Sequence, residues 1–130
     1  RFGIESIRYH YITPDEASTG EQVTDVVREF LHWLGPRRLL GYHLGFDLDM
    51  LRPHVRALAG FELPNPTTDL ADEVAARQRA QRPDAPVDLD LVHIATRLGV
   101  PMIGRHTALG DATTVGLCWV ALRARGWPAD

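Results

Sequence analysis

Three side chains raise the question of chemistry. Asp47 closes the segment Gly41-Tyr42-His43-Leu44-Gly45-Phe46-Asp47, and His106 and Asp111 bracket the segment His106-Thr107-Ala108-Leu109-Gly110-Asp111-Ala112. In both segments a strand or loop hands over to a helix. A carboxylate at that position is stabilised by main-chain N–H groups and the helix dipole, so it stays ionised and able to face a cation. It is also a hard oxygen donor of the kind that suits Mg²⁺ or Mn²⁺. A histidine with its ordinary pKa of about 6.5 can take a proton from a metal-polarised water. Two carboxylates and a histidine from distant parts of a chain are what metal-assisted phosphodiester hydrolysis needs. The plain alternatives are two helix N-caps and a surface histidine.

The elements that must position these groups follow from periodicity and punctuation. A helix is predicted from about Glu21 to Leu34, with Val23, Val26, Val27, Phe30, Leu31 and Leu34 on one stripe and Gly35-Pro36 as its stop. Arg38 to His43 reads as a short buried strand feeding the first segment. A helix from about Phe46 to Ala59 follows, with Leu48, Leu51, Val55 and Leu58 inward; Pro53 inside it predicts a kink or a late start. Phe61 to Thr68 is a proline-bearing loop, with an edge strand near Thr67 to Leu70. Ala71 to Arg82 is polar and helical. Asp88 to Leu98 is a helix capped by Gly99, with Pro101 beyond. The last helix runs from Leu109 to Arg125, with Ala112, Val115, Trp119 and Leu122 toward the core. Upstream, Ile4 to Ile12 has strand-like content, and Thr13, Pro14 and Glu16 look like a capping box opening a brief helical turn.

With 130 residues and 45% hydrophobic content, the chain is expected to form one domain with one core. No run is long enough to span a membrane and no signal segment opens it, so a cytoplasmic setting is expected. The lone cysteine, Cys118, excludes an internal disulfide framework and reads as a buried thiol. A net charge of −3 argues against a broad electrostatic grip on nucleic acid but permits a small site where cations neutralise phosphate. Every basic residue is arginine, which reads as a composition bias. The chain opens on Arg1 and enters strand-like sequence at once, as expected of an interior piece of a longer chain or a processed product.

The segments together resemble a known family, the DEDDh exonucleases, the group of the proofreading epsilon subunit of bacterial DNA polymerase III. Leu39-Leu40-Gly41-Tyr42-His43-Leu44-Gly45-Phe46-Asp47-Leu48-Asp49-Met50-Leu51 looks like the family's second motif. His106 to Ala112 resembles its third. Leu63-Pro64-Asn65-Pro66 and the helix before Gly99-Val100-Pro101 are similar to a subgroup of stand-alone DnaQ-like proteins, and Ser6 to Pro14 looks like the linker before the family's first long helix. The resemblance implies an α/β, RNase H-like fold: a mixed sheet flanked by helices. It implies removal of nucleotides from a 3′ end by two metal ions, Mg²⁺ or Mn²⁺. Asp111 would bind the shared metal directly, Asp47 would hold the second, and His106 would be general base. Arg105 would touch substrate phosphate, the alternative being a solvated arginine. His43 stands where the family often has Asn; it would contact the same surroundings or be a satisfied core histidine.

One part of the family pattern is missing. No Asp-x-Glu pair, the first motif, occurs in these residues; Glu5 and the Asp15-Glu16 pair lie too late to supply it. On the resemblance, the first three strands would precede Arg1, leaving the carboxy-terminal two-thirds of the domain. These residues alone would then bind metal weakly, be inactive or nearly so, and expose an unpaired edge near Leu39 and Leu40. The partners implied are a single-stranded DNA or RNA 3′ end, with a polymerase or a second copy of the chain as candidates for the open sheet edge, and no membrane. Two other readings stand beside this one. A non-catalytic RNase H-like module would bind nucleic acid or a protein partner without a metal site. The His-x4-Asp spacing is also similar to that of membrane-linked glycerolipid acyltransferases, but that leaves Asp47 without a role and the chain has no membrane-seeking segment.

Overall fold

The computed structural model describes residues 23–129. The strand expected at Ile4 to Ile12, the capping box at Thr13, the helix start at Glu21, and Glu5, Asp15 and Glu16 lie outside the described residues. The described elements are α1 (Val23–Leu34), β1 (Leu39–Gly41), α2 (Leu44–Ala59), β2 (Thr67–Asp69), α3 (Leu70–Gln81), α4 (Leu91–Leu98) and α5 (Ala108–Arg125). This is an α/β arrangement. Its two strands pair in parallel, with Leu39 opposite Thr67, Leu40 opposite Thr68 and Gly41 opposite Asp69. Parallel pairing requires a crossover, and α2 with its flanking loops supplies it. Asn65, from the proline-bearing segment, donates to the carbonyls of Gly35 and Arg37, both at 2.8 Å, tying the two strand entrances together.

The core lies among α3, α4 and α5. Leu70, Val74, Ile94, Ala95, Leu98, Cys118 and Leu122 are buried there, and Leu40 of β1 packs on them. α5 touches β1, α3 and α4, so it is the central support. Burial pushes the Cys118 thiol up to about 11, which keeps it protonated and inert at neutral pH. α1 packs on α2. Among the described residues no helix is long and apolar enough to cross a membrane.

Several boundaries and facings depart from expectation. β1 is shorter than Arg38 to His43 and only half-buried. α2 begins at Leu44, ahead of Phe46, and runs through Pro53, whose missing N–H falls on an exposed position. Of its inward residues, Leu48 and Val55 are buried while Leu51 and Leu58 are half-buried. On α1, Val27 and Leu34 are buried but Val23 and Val26 are exposed. α3 is polar overall, yet Leu70, Ala71, Val74 and Ala75 bury its first turns. α4 starts at Leu91 because Asp90 caps it, accepting from the N–H groups of Val92 and His93. On α5, Ala112 faces solvent and the buried stripe runs through Thr114, Val115, Cys118, Ala121 and Leu122.

Candidate active site

The first handover, from β1 to α2, passes through His43, which sits in the left-handed region at φ 52° and makes no side-chain cap. Its N–H donates instead to Asp69 Oδ1 at 2.9 Å, and the Leu44 N–H donates to Asp69 Oδ2 at 2.9 Å. Asp69 ends β2 and also caps α3, accepting from the Ala71 N–H at 2.9 Å. One carboxylate thus closes the starts of two helices and fixes both to the strand pair. The His43 ring is exposed and lies 4.3 Å, centroid to centroid, from that of Tyr42. Asp47 follows one turn into α2.

The second handover, into α5, is built locally. Thr107 is the N-cap and accepts from the Gly110 N–H at 3.0 Å. Its carbonyl accepts from the Asp111 N–H at 2.9 Å. The Asp111 side chain reaches back and accepts from the His106 N–H at 3.1 Å. Gly110 must be glycine, because a Cβ there would overlap the main-chain carbonyls of Ile103 and Gly104. Buried Thr114 ties the same loop down, accepting from the Ile103 N–H and donating to the Gly110 carbonyl. His106 is held at φ 67°, a left-handed conformation uncommon outside glycine and found at functional sites.

Both handovers open on one cleft of about 520 Å³, lined by Asp47, Arg105, His106 and Asp111 together with Tyr42, Asp90 and Met102. Four of the five residues singled out from the sequence therefore converge. His43 does not line the cleft; it stands beside it, next to Tyr42. Two carboxylates escape a reading of the sequence. Asp90 lines the cleft while capping α4, and its position just before the apolar helix Leu91 to Leu98 is the available signal. Asp69 acts from outside the cleft, through α2.

The cleft carries a negative field. Burial holds the Asp47 carboxyl above its ordinary value, and the charge of Asp69 adds to that. The Tyr42 phenol is raised too, by burial first and then by Asp90, Asp69 and Asp88. An anionic phosphodiester would meet repulsion here without a cation to offset it.

A family model described as an exonuclease matches residues 2–116. The chain belongs to the exonuclease family. No curated protein matches it. Family membership makes the α/β arrangement RNase H-like and the class of chemistry that of a nuclease, a hydrolase. Exonucleases of this family typically use divalent metals. The donors in the cleft are of the right type: Asp47 and Asp111 offer hard carboxylate oxygens. Their number falls short, since among the described residues no three His, Cys, Asp or Glu side chains group closely enough to hold an ion.

Proposed function

We propose that this exonuclease acts as a DEDDh-type 3′–5′ enzyme, removing nucleotides from the 3′ end of single-stranded DNA or RNA. The observation that carries the reading is the convergence of Asp47, Arg105, His106 and Asp111 on one cleft from two handovers far apart in sequence. Asp111 and Asp47 are the residues that would hold divalent metal. Bound there, Mg²⁺ or Mn²⁺ supplies charge neutralisation of the phosphate and a more acidic water. His106 takes the proton from the attacking water. Its main chain is tied to Asp111, so the base and the carboxylate keep a fixed relation. Arg105 contacts the phosphate, and His43 contacts the substrate from the rim beside Tyr42.

Full catalysis needs further carboxylates, because these residues contain no Asp-x-Glu pair. The 130 residues by themselves are therefore expected to be inactive or nearly so. Among the described residues β1 pairs with β2 alone, and its other edge is the place where a completing strand, a polymerase or a second copy would add. The same shortage of ligands supports a second reading, a non-catalytic module that binds nucleic acid or a protein partner.

The test is Mn²⁺-dependent mononucleotide release, assayed with this chain alone and with any residues that its gene encodes ahead of Arg1. An Asp-x-Glu pair there, with release that Asp111→Asn abolishes, supports the enzyme. His106→Ala should cost about 10²–10⁴-fold in rate, the usual worth of a general base. An unchanged rate would remove His106 from that role. A longer chain with no such pair and no release supports the binding module.

A further inference from the structure

Among the described residues, Thr114 is the one polar side chain that is fully buried. It stands on α5 one turn after Gly110, beside the buried Val115 and Cys118. A hydroxyl in such surroundings must find hydrogen-bond partners. Its O–H donates to the Gly110 carbonyl at 3.0 Å, the usual return of a helical threonine to the turn before it. Its oxygen also accepts from the Ile103 N–H at 3.1 Å, and this bond leaves the helix for the loop ahead of it.

That loop forms part of the cleft. Met102, Arg105 and His106 line the cleft, whereas Thr114 does not, so Thr114 acts from behind the wall. Gly104 and His106 both take left-handed backbone, at φ 53° and 67°. A residue other than glycine keeps that conformation only where its surroundings over-determine it. At the loop's exit the His106 N–H donates to Asp111, and the Thr107 N–H donates to the Gly104 carbonyl. At its entrance the Met102 side chain packs on the core, a contact without direction that does not set the plane of the next peptide. Gly110 already meets the carbonyls of Ile103 and Gly104, so the loop cannot close further on α5. The bond from Ile103 to Thr114 keeps it from lifting away.

We propose that Thr114 is a positioning residue for His106: its hydroxyl pins the entrance of the loop and thereby holds the imidazole at the cleft. The proposal rests on the exonuclease reading for the imidazole's role as base. Packing alone gives no reason for the hydroxyl, because valine has the same shape without a polar group to bury. The loop supplies that reason.

The test compares Thr114→Val with Thr114→Ser in the chain extended by any residues that its gene encodes ahead of Arg1. Valine keeps the packing and leaves the Ile103 N–H unpaired; serine keeps the hydroxyl and loses a methyl group. Amide hydrogen exchange is measured at His106 and corrected for the change in global stability. It should be about tenfold faster in Thr114→Val, the weight of one hydrogen bond, and close to the parent in Thr114→Ser. In nucleotide release, kcat of Thr114→Val should fall by up to about 10²-fold with KM little changed, as when a reacting group is misplaced. In a His106→Ala background the same substitution should cost nothing further, because the group being positioned is gone. A merely structural role would instead lower both backgrounds equally, and that result overturns the proposal. So does an unchanged His106 amide in Thr114→Val, or a serine variant that behaves like valine. If Thr114→Val does not fold, Thr114→Ala replaces it, and equal exchange at His106 in the serine and alanine variants overturns the proposal. Release that is lost in His106→Ala but untouched by Thr114→Val keeps the exonuclease reading and removes the anchor. No release by the parent, beside a faster His106 amide in Thr114→Val, removes the hydrolytic reading and keeps Thr114 as the residue that places His106.

Discussion

The two handovers that face the cleft solve one problem in opposite ways. Every helix start leaves main-chain N–H groups without partners, and both α2 and α5 start beside the site. At α5 the partners are local: Thr107 caps, and Asp111 reaches back five residues to the His106 N–H. At α2 the partner is remote: Asp69, 25 and 26 residues further on, receives the N–H groups of Leu44 and His43. A local cap makes the geometry of its own segment nearly independent of the rest of the fold. A remote cap makes the position of Asp47 depend on the strand pair being formed. The α5 junction should therefore behave as a self-contained unit, and the α2 junction as a consequence of tertiary structure.

Substitutions at each junction can break that contrast. The largest effect is expected at Gly110. A methyl group there would meet the carbonyls of Ile103 and Gly104, main-chain atoms that cannot swing aside. Gly110→Ala should cost about 3 kcal/mol or more, at the upper end of overpacking penalties, in a denaturant titration. A change under about 1 kcal/mol would show that the loop before α5 is softer than its hydrogen bonds imply. Asp69→Ala comes next. It removes one acceptor shared by three N–H groups and two helix starts, and should cost roughly 2–3 kcal/mol, the sum of two caps. If Asp47 holds metal as proposed, Asp69→Ala should also lower the metal-dependent activity of a chain completed by an Asp-x-Glu segment by about 10–100-fold. Asp69→Asn keeps an acceptor oxygen and should recover part of both effects. Full activity in Asp69→Ala would mean that Asp47 holds its position without β2.

The same contrast explains what the sequence can and cannot reveal. The α5 segment is readable because its geometry is written within His106 to Asp111, a few residues that cap, turn and return. Much of the cores of α2, α4 and α5 is readable from apolar spacing, the stop at Gly99 from its glycine, and a strand near Thr67 is readable as an edge strand, though not its parallel pairing with β1. Asp69 reads only as the tail of an edge strand, because its function depends on register: Gly41 opposite Asp69 brings the carboxylate under the α2 start. Asp90 is absorbed into too long a helix, since a run of Asp88, Leu89, Asp90 and Leu91 does not show which aspartate caps. The outward turn of Ala112 is hidden because α5 buries Thr114 and Cys118, small residues that a search for large apolar side chains passes over.

Two smaller effects sharpen the comparison. Thr107→Ala removes a purely local cap and should cost about 1 kcal/mol without altering the α2 side of the cleft. Asp47 gives the last and smallest. Its carboxyl is raised above the ordinary value by burial and by Asp69, so the folded chain binds that proton more tightly than the unfolded chain does. The contribution to stability is then present at low pH and is lost as pH rises from 3.8, the ordinary value, through the raised one. At neutral pH, in EDTA, the ionised Asp47 opposes folding. Asp47→Asn should therefore be slightly more stable than the parent chain at pH 7, and the difference should fade on acidification. Asp111→Asn should show no such gain, because it weakens the acceptor of the His106 N–H. A parent chain and an Asp47→Asn variant of equal stability at pH 7, measured by thermal unfolding across pH, would show that burial and Asp69 do not disfavour the Asp47 charge.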